Sequence, residues 1–258
     1  MPQLAETRHG KFLVLPNDAL GQALLTNGDF EPHFYNVAKN VIKPGDHCID
    51  CGANLGYHTV TMAKLTGPSG RILAFEPLRV INQQLNANVF MNDLRNVICL
   101  NNAVGNENKI IQMDYIDVDD PRGINIGATK VGMGGDIVEM IKLDDVITNG
   151  VSFIKIDVQG SEKFLLEGAD ALIKNSRPVM FVEVENQWLT QFNETSETLL
   201  NKILQLDYIV LRILTDYPCD HVAIPREKSH LIDAILKDVG HPCDIIDGKS
   251  ISVKFDRT

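Results

Sequence analysis

No stretch of the 258 residues approaches the roughly 20 consecutive apolar positions that a membrane span requires, so no membrane partner is expected. The opening MPQLAETRHGKFLVLPND lacks the basic start and longer apolar core of a signal peptide. No run of Lys and Arg forms a basic patch, and the formal net charge is −10. A chain so charged gains no general attraction to a polyphosphate backbone, so no nucleic-acid partner is expected. The five cysteines are odd in number and scattered, which argues against a disulfide framework. The reading is a protein of a reducing compartment, expected to be cytoplasmic.

Cys48 and Cys51 form a single CxxC. Both fall on an expected strand, where residues three apart point to opposite faces. Their Cα atoms would lie roughly 10 Å apart, beyond disulfide reach. Buried thiols are therefore expected, rather than a redox or metal pair.

What the chain does have is material for a core: 44% hydrophobic and 22% charged residues, over a length suited to one large α/β domain or two small ones. An apolar run, KFLVL, and a helical pattern, DALGQALL, are followed by a helix in EPHFYNVAKNVI that Pro44-Gly45 stops. Strands and helices then alternate. HCIDC, RILAFEP, VICLNNAV, VSFIKIDV, RPVMFVEVE and YIVLRIL read as strands. GYHTVTMAKLT, VINQQLNANVFMND, EKFLLEGADALIKN and ETLLNKILQLD read as helices between them. DHVAIP and SISVKF are further candidate strands, and HLIDAILKDV is a further helix. Repeated β-α units imply a mostly parallel sheet with helices on both faces.

One interruption separates VICLNNAV from VSFIKIDV. NKIIQMDYID and DIVEMIKLDDV read as two strands joined by the glycine-rich DDPRGINIGATKVGMGGD. That joining segment is either a flap gating a pocket or a surface hairpin tip.

The turn after the first strand of the alternation, CIDCGANLGYH, carries Asp50, Gly52, Ala53, Asn54 and Gly56. A dinucleotide turn is G-x-G-x-x-G, and its middle glycine admits the pyrophosphate. Here Asn54 holds that place, and its side chain obstructs close approach. Asp50, ahead of the glycines, would repel phosphate and favour an ammonium. The turn favours a zwitterionic nucleoside. Glu76, 24 residues after Gly52 at the tip of the next strand, is placed to accept from two ribose hydroxyls. Asn102 and Ala103 follow the third strand, where an adenine edge would lie; Asn102 reads equally as a turn former.

A second group of polar residues lies in FIKIDVQGSE and VMFVEVEN. Lys155 and Asp157 share one strand face, against Ile154, Ile156 and Val158 on the other. Glu162 follows the turn at Gly160, and Glu183 and Glu185 share a face of the next strand. A buried charged pair must be paired or reach solvent. Asp157, Glu185, Lys155 and Glu162 are the candidate catalytic residues: a group that holds a cation and deprotonates a hydroxyl. The competing reading is a structural Lys–Glu network. His33 and His58 read as a base or as packed histidines. No spacing demands a metal, and none is expected.

KPGDHCIDCGANLGYHT, GRILAFEP, LNNAVGN, IKLDDV and FIKIDVQGSEKFLLEGA together resemble the FkbM-type methyltransferases, a branch of the class I S-adenosylmethionine-dependent methyltransferases. The resemblance runs over residues 34–214. It implies a Rossmann-like α/β fold with a seven-stranded, mostly parallel sheet, helices on both faces and an antiparallel last strand. It implies one methyltransferase domain over 1–258, with a core at 34–225, an N-terminal cap at 1–33 and a C-terminal extension at 226–258.

The implied cofactor is S-adenosyl-L-methionine. The implied reaction is O-methylation of a sugar, glycan or other small acceptor. By carry-over, Asp50, Gly52, Asn54 and Gly56 would line the methionine end. Glu76 would hold the ribose, Asn102 and Ala103 would border the adenine, and Asp157 would face the methionine of the cofactor and the transfer site. The family often has Glu where this chain has Gln159. The two ends outside the resemblance are expected to cover the acceptor pocket or to form a homo-oligomer contact. The competing functions are a catalytically idle protein of this fold, a nicotinamide-dependent oxidoreductase and a nucleic-acid methylase.

Overall fold

The computed structural model describes residues 1–117, 120, 125, 129, 131–217, 219–248 and, for the backbone alone, 251–254. The chain opens with a hairpin, β1 (Gln3–Thr7) and β2 (Gly10–Val14), then α1 (Ala19–Asn27) and α2 (Pro32–Val41). The alternating part is β3 (His47–Cys51), α3 (Tyr57–Thr66), β4 (Arg71–Phe75), α4 (Arg79–Met91) and β5 (Val97–Leu100). A small sheet follows, of β6 (Ala103–Val104), β7 (Lys109–Asp114) and β8 (Gly134–Ile141). Then come β9 (Phe153–Ile156), α5 (Glu162–Gly168), α6 (Asp170–Ser176), β10 (Val179–Glu183), α7 (Asn186–Leu189) and α8 (Ser196–Gln205). The chain ends with β11 (Tyr208–Ile213), β12 (Asp220–Pro225), α9 (Ile232–Asp238), β13 (Cys243–Ile246) and β14 (Ile251–Lys254).

The main sheet has nine strands in the order β14-β13-β11-β12-β10-β9-β3-β4-β5. Its seven central strands are the expected set, with β12 antiparallel between β10 and β11. The expected count of seven is exceeded because the tail adds β13 and β14 antiparallel at one edge. The C-terminal extension therefore prolongs the sheet, and α9 packs on α2. Side chains alternate across the sheet and make two cores. Cys48, Phe153 and Phe181 join the helices α2, α3, α4 and α9 on one face. Cys51, Ile154, Ile156 and Val182 join α5, α6 and α8 on the other. All five cysteines are free, and Cys48 and Cys51 stand on opposite faces.

Two local expectations are corrected, and one segment gains structure that the sequence did not mark. VICLNNAV is not one strand: it breaks at Asn101, whose side-chain amide donates to Glu76 O at 2.9 Å and Pro77 O at 2.8 Å. The continuation, β6, joins the small sheet instead. EKFLLEGADALIKN is two helices, because the Asp144 carboxylate caps a new start at Ala171 N (2.9 Å) and Leu172 N (2.8 Å). The N-terminal segment is a hairpin, β1 included, whose β2 backbone is held by α4: Leu13 N donates to Asn88 Oδ1 at 2.7 Å and Gln84 Nε2 to Leu13 O at 2.8 Å.

The expected strand pair of the interruption is present as antiparallel β7 and β8. The flap expectation falls on 119–136, half of which lies outside the described residues.

Candidate active site

The strand order reverses at β3, which continues to β4 on one side and is flanked by β9 on the other. A parallel sheet leaves a crevice outside the carboxyl ends of its strands at such a point. The turn after β3, Glu76 after β4, Asp157 after β9 and Glu183 at the end of β10 all fall there.

The turn is fixed by backbone contacts. Gly52 N and Ala53 N both donate to Phe75 O, at 3.0 and 2.9 Å. Gly52 has φ +78°, and a Cβ there would lie 1.8 Å from Asp157 O. Asn54 takes the left-handed region at φ 48°, its side-chain oxygen accepting from Leu55 N at 2.6 Å. Asn54 N donates to Glu76 Oε2 at 2.8 Å, and Leu78 N to Glu76 Oε1 at 2.9 Å. Burial pushes the Glu76 carboxyl up to about 7, despite these two donors.

Asp50 lies beneath the turn, fully buried, and borders neither cleft described below. Thr59 Oγ1 donates to its Oδ2 at 2.6 Å, and Lys155 Nζ stands 3.8 Å from its Oδ1. Gly56 is likewise inside, where a Cβ would meet Leu85 Cδ1 at 2.6 Å.

Lys155 is buried and donates to Gly52 O at 3.1 Å and Asp157 Oδ2 at 3.0 Å. Burial opposes its charge, but the Asp157 and Asp50 carboxylates outweigh burial and hold the ammonium above its ordinary value. The network expected between Lys155 and Glu183 runs instead through Gln159. Its Nε2 donates to Asp157 Oδ1 at 2.8 Å and to Glu183 Oε2 at 2.7 Å. Burial raises both acids, but the Lys155 charge and the Gln159 amide bring Asp157 below the usual carboxylate range. Burial and the Asp157 charge drive Glu183 far up. Glu183 is thus the protonated member of the pair and Asp157 the ionised one.

Glu162 is turned into the β9–α5 turn. Its Oε1 accepts from Gly160 N at 3.1 Å and Val158 N at 3.3 Å, and burial pushes its carboxyl up to about 7. Glu185 stands apart from the buried pair and accepts from the exposed Tyr217 hydroxyl. The structure thus brings Lys155, Asp157 and Glu183 together, sets Glu185 on the cleft rim and keeps Glu162 behind the turn.

Two adjoining clefts meet at Gly52, Asn54, Asp157 and Gln159. The first, about 740 Å³ counted to its open mouth, has apolar walls at Phe75, Leu78, Ile81, Met113 and Met140, and Glu76, Asn102 and Ala103 also line it. Asn102 Nδ2 faces Glu139 O at 3.3 Å. The second, about 1060 Å³, is lined by Ala53, Phe30, Glu31, Tyr57, His58, Lys155, Glu183, Glu185, Trp188 and Tyr217. The N-terminal segment therefore lines it, through Ala19, Leu20, Phe30 and Glu31. Sequence reasoning did not single out Glu31, Trp188 and Tyr217. Gln159 it noted only as a departure, and its bridging role was missed.

The family model of the methyltransferase FkbM domain matches residues 50–210. The chain belongs to the FkbM methyltransferase family. It is an S-adenosylmethionine-dependent methyltransferase, and the nicotinamide reading falls away. No curated protein matches the chain significantly. Similar solved structures include the FkbM methyltransferase of Methylobacillus flagellatus KT, 18% identical over 82% of this chain and 62% of that one, TM-score 0.49. This chain thus spans less than two thirds of that protein's length. An rRNA methylase from Streptococcus thermophilus is 8% identical over 73% of this chain and 90% of that one, TM-score 0.46. A SAM-dependent methyltransferase from Aquifex aeolicus is 14% identical over 72% and 86%, TM-score 0.45.

The cofactor fits the first cleft on this chain's own features. The turn has no Cβ at Gly52, the slot is walled by apolar side chains, and the Glu76 carboxyl lines it. Among the described residues, no helix is long and apolar enough to cross a membrane.

Proposed function

We propose that this FkbM-family chain transfers the methyl group to a hydroxyl of a neutral, polyhydroxylated acceptor such as a sugar or glycan. The observation that supports this reading is the second cleft. It joins the first at Asp157 and combines carboxylates, Glu31, Glu183 and Glu185, with the rings of Phe30, Trp188 and Tyr217. Carboxylates accept hydrogen bonds from hydroxyls, and rings pack against the apolar face of a sugar. The Glu31, Asp157 and Glu185 carboxylates repel a phosphate backbone, and the formal net charge of −10 acts in the same direction. On this reading neither nucleic acid nor membrane is the partner.

The cofactor supplies a methyl group made electrophilic by a sulfonium. The rest is the work of the chain. Glu76 accepts from the ribose hydroxyls, Asn102 and Ala103 border the base, Gly52 and Asn54 form the floor where the two clefts meet, and Ala53 continues it into the second. Asp50 and Gly56 act from beneath, holding the turn. Asp157 aligns the acceptor hydroxyl and takes its proton as the new C–O bond forms and the C–S bond breaks. A depressed carboxylate suffices, because the attacking oxygen becomes a protonated ether, far more acidic than any carboxylic acid. Lys155 and Glu162 position Asp157, and Glu185 orients the acceptor at the rim.

Labelled methyl transfer to a panel of neutral sugars and glycans, with RNA alongside, tests this reading. Transfer to a neutral polyol is expected. Transfer to RNA alone would overturn the acceptor class, and no transfer to any acceptor would favour an idle protein. Calorimetric titration with S-adenosylhomocysteine tests the cofactor residues separately. Glu76→Ala should weaken binding, and unchanged affinity would displace Glu76 from the ribose.

A further inference from the structure

Three ligand-type side chains converge beside the second cleft, and methyl transfer as described leaves His33 and Asp220 without a role. Glu31, His33 and Asp220 each place one carboxylate oxygen or ring nitrogen within 4.8 Å of the other two. Glu31 and His33 stand at the entry to α2. Asp220 opens β12, and because that strand is antiparallel its first residue lands opposite Glu183, at the carboxyl edge of the sheet. His33 and Asp220 are buried, at 6% and 7% exposure, while Glu31 opens on the cleft.

We propose that Glu31, His33 and Asp220 bind a divalent transition-metal cation of the manganese or zinc class at the edge of the acceptor cleft. One imidazole and two carboxylates form a mixed nitrogen and oxygen donor set of the kind such ions take. The spacing of His33 and Asp220 suits it, and Glu31 has to close in from within 4.8 Å. Ligands at right angles on bonds near 2.1 Å lie roughly 3 Å apart. His33 Nε2 and Asp220 Oδ2 are already 2.7 Å apart, so an ion enters with slight widening as the proton between them leaves.

The ligands are supported from outside. His58 Nε2 lies 2.8 Å from Glu31 Oε2 and orients that carboxylate. The His33 ring stacks on Phe181 and meets the His241 ring edge-on at 5.7 Å between centroids. The local charge favours a cation. Asp157 and Glu185 line the same cleft, and the Lys155 ammonium beside them is already engaged by Asp157 and Asp50. Three protein ligands with one side open to the acceptor leave positions that two adjacent hydroxyls of a polyol would fill. Ion binding stands independently of the methyl-transfer reading; only this last use of the ion rests on it.

The test is a titration of the full chain with Mn²⁺, following the paramagnetic resonance signal of the free ion. One bound ion per chain is expected, displaced by Zn²⁺. Asp220→Asn and Glu31→Gln should each weaken binding by about tenfold or more, while calorimetry shows S-adenosylhomocysteine binding unchanged. Glu31→Gln keeps an acceptor for His58 and covers the case in which Asp220→Asn does not fold. No Mn²⁺ binding up to millimolar concentration would overturn the site, as would equal binding by the wild type and the folded variants. Mn²⁺ binding without methyl transfer to any acceptor would leave the site standing and remove the acceptor reading alone.

Discussion

Gly52 and Asp157 meet backbone to backbone, with 1.8 Å between a Cβ built on the first and the carbonyl oxygen of the second. The β3 turn and the β9 exit are thus locked together where the two clefts join. Gly52→Ala adds that Cβ at φ +78°. The left-handed backbone alone costs about 1–2 kcal/mol, and the contact forces the Asp157 backbone aside. Denaturant unfolding should show at least that loss. Titration with S-adenosylhomocysteine should show a larger proportional loss of affinity. A variant unchanged in both would mean that the two turns are free to move apart.

Lys155 is the buried counter-charge of two acids, Asp50 at 3.8 Å and Asp157 at 3.0 Å. Lys155→Met keeps the length of the side chain and removes the charge. Both carboxylates are then left without their cation, which costs about 3–5 kcal/mol. The double variant Lys155→Met with Asp50→Asn should recover part of it, because the deeper carboxylate is gone. Urea midpoints of the single and double variants check this. Equal loss in both would show that Asp50 is not stabilised by the ammonium.

Much of this frame was legible in the sequence because it is written locally. The alternation of apolar runs marked the central strands. The D-x-G-x-x-x-G turn marked the crevice, and Glu76 followed at the spacing of one β-α-β unit. What stayed hidden depends on pairing across the sheet. Gln159 bridges two acids only because β9 and β10 are neighbours in register. His33 meets Asp220 from 187 residues away. That meeting had one signal: an antiparallel last strand sets its first residue at the carboxyl edge. The division of EKFLLEGADALIKN had none in its own pattern, since the cap comes from Asp144 on another segment.

Glu76 and Glu162 give stability a pH dependence of unusual sign for carboxyls. Burial raises each to about 7 from an ordinary 4.5. Between those values the folded chain holds protons that the unfolded chain has released. Stability from these two groups is therefore full below pH 4.5 and declines as pH rises through 7. Asp157 acts in the opposite direction but in another window. Its depressed carboxyl contributes stability above 3.8 that is lost at lower pH. Glu183, driven further up by burial and the Asp157 charge, adds to the decline, and His9 and His221, lowered to about 4 by burial, oppose it below 6.5. Urea unfolding at intervals from pH 5 to 8 should therefore show a steeper loss with rising pH in the wild type than in Glu76→Gln or Glu162→Gln. A slope unchanged in both variants would assign the decline to other groups.

Asp157 and Glu183 form one hydrogen-bonded acid pair with opposite protonation, and amide substitutions separate their parts. Glu183 already carries a proton at neutral pH, driven up by burial and by the neighbouring Asp157 charge. In Glu183→Gln the amide N–H replaces the donor towards Asp157, and the amide oxygen still accepts from Gln159. The change is close to isosteric and leaves every partner satisfied, so turnover should fall little. Asp157→Asn removes the ionised member. It takes away the acceptor of the hydroxyl proton and leaves Lys155 with only the more distant Asp50 carboxylate. Turnover should fall by roughly 10²–10⁴-fold, the range of a lost proton acceptor, while S-adenosylhomocysteine still binds. Single-turnover methyl transfer with the identified acceptor, beside calorimetric binding, separates the two effects. If Glu183→Gln lost as much turnover as Asp157→Asn, the ionised carboxylate would have to be placed on Glu183 instead.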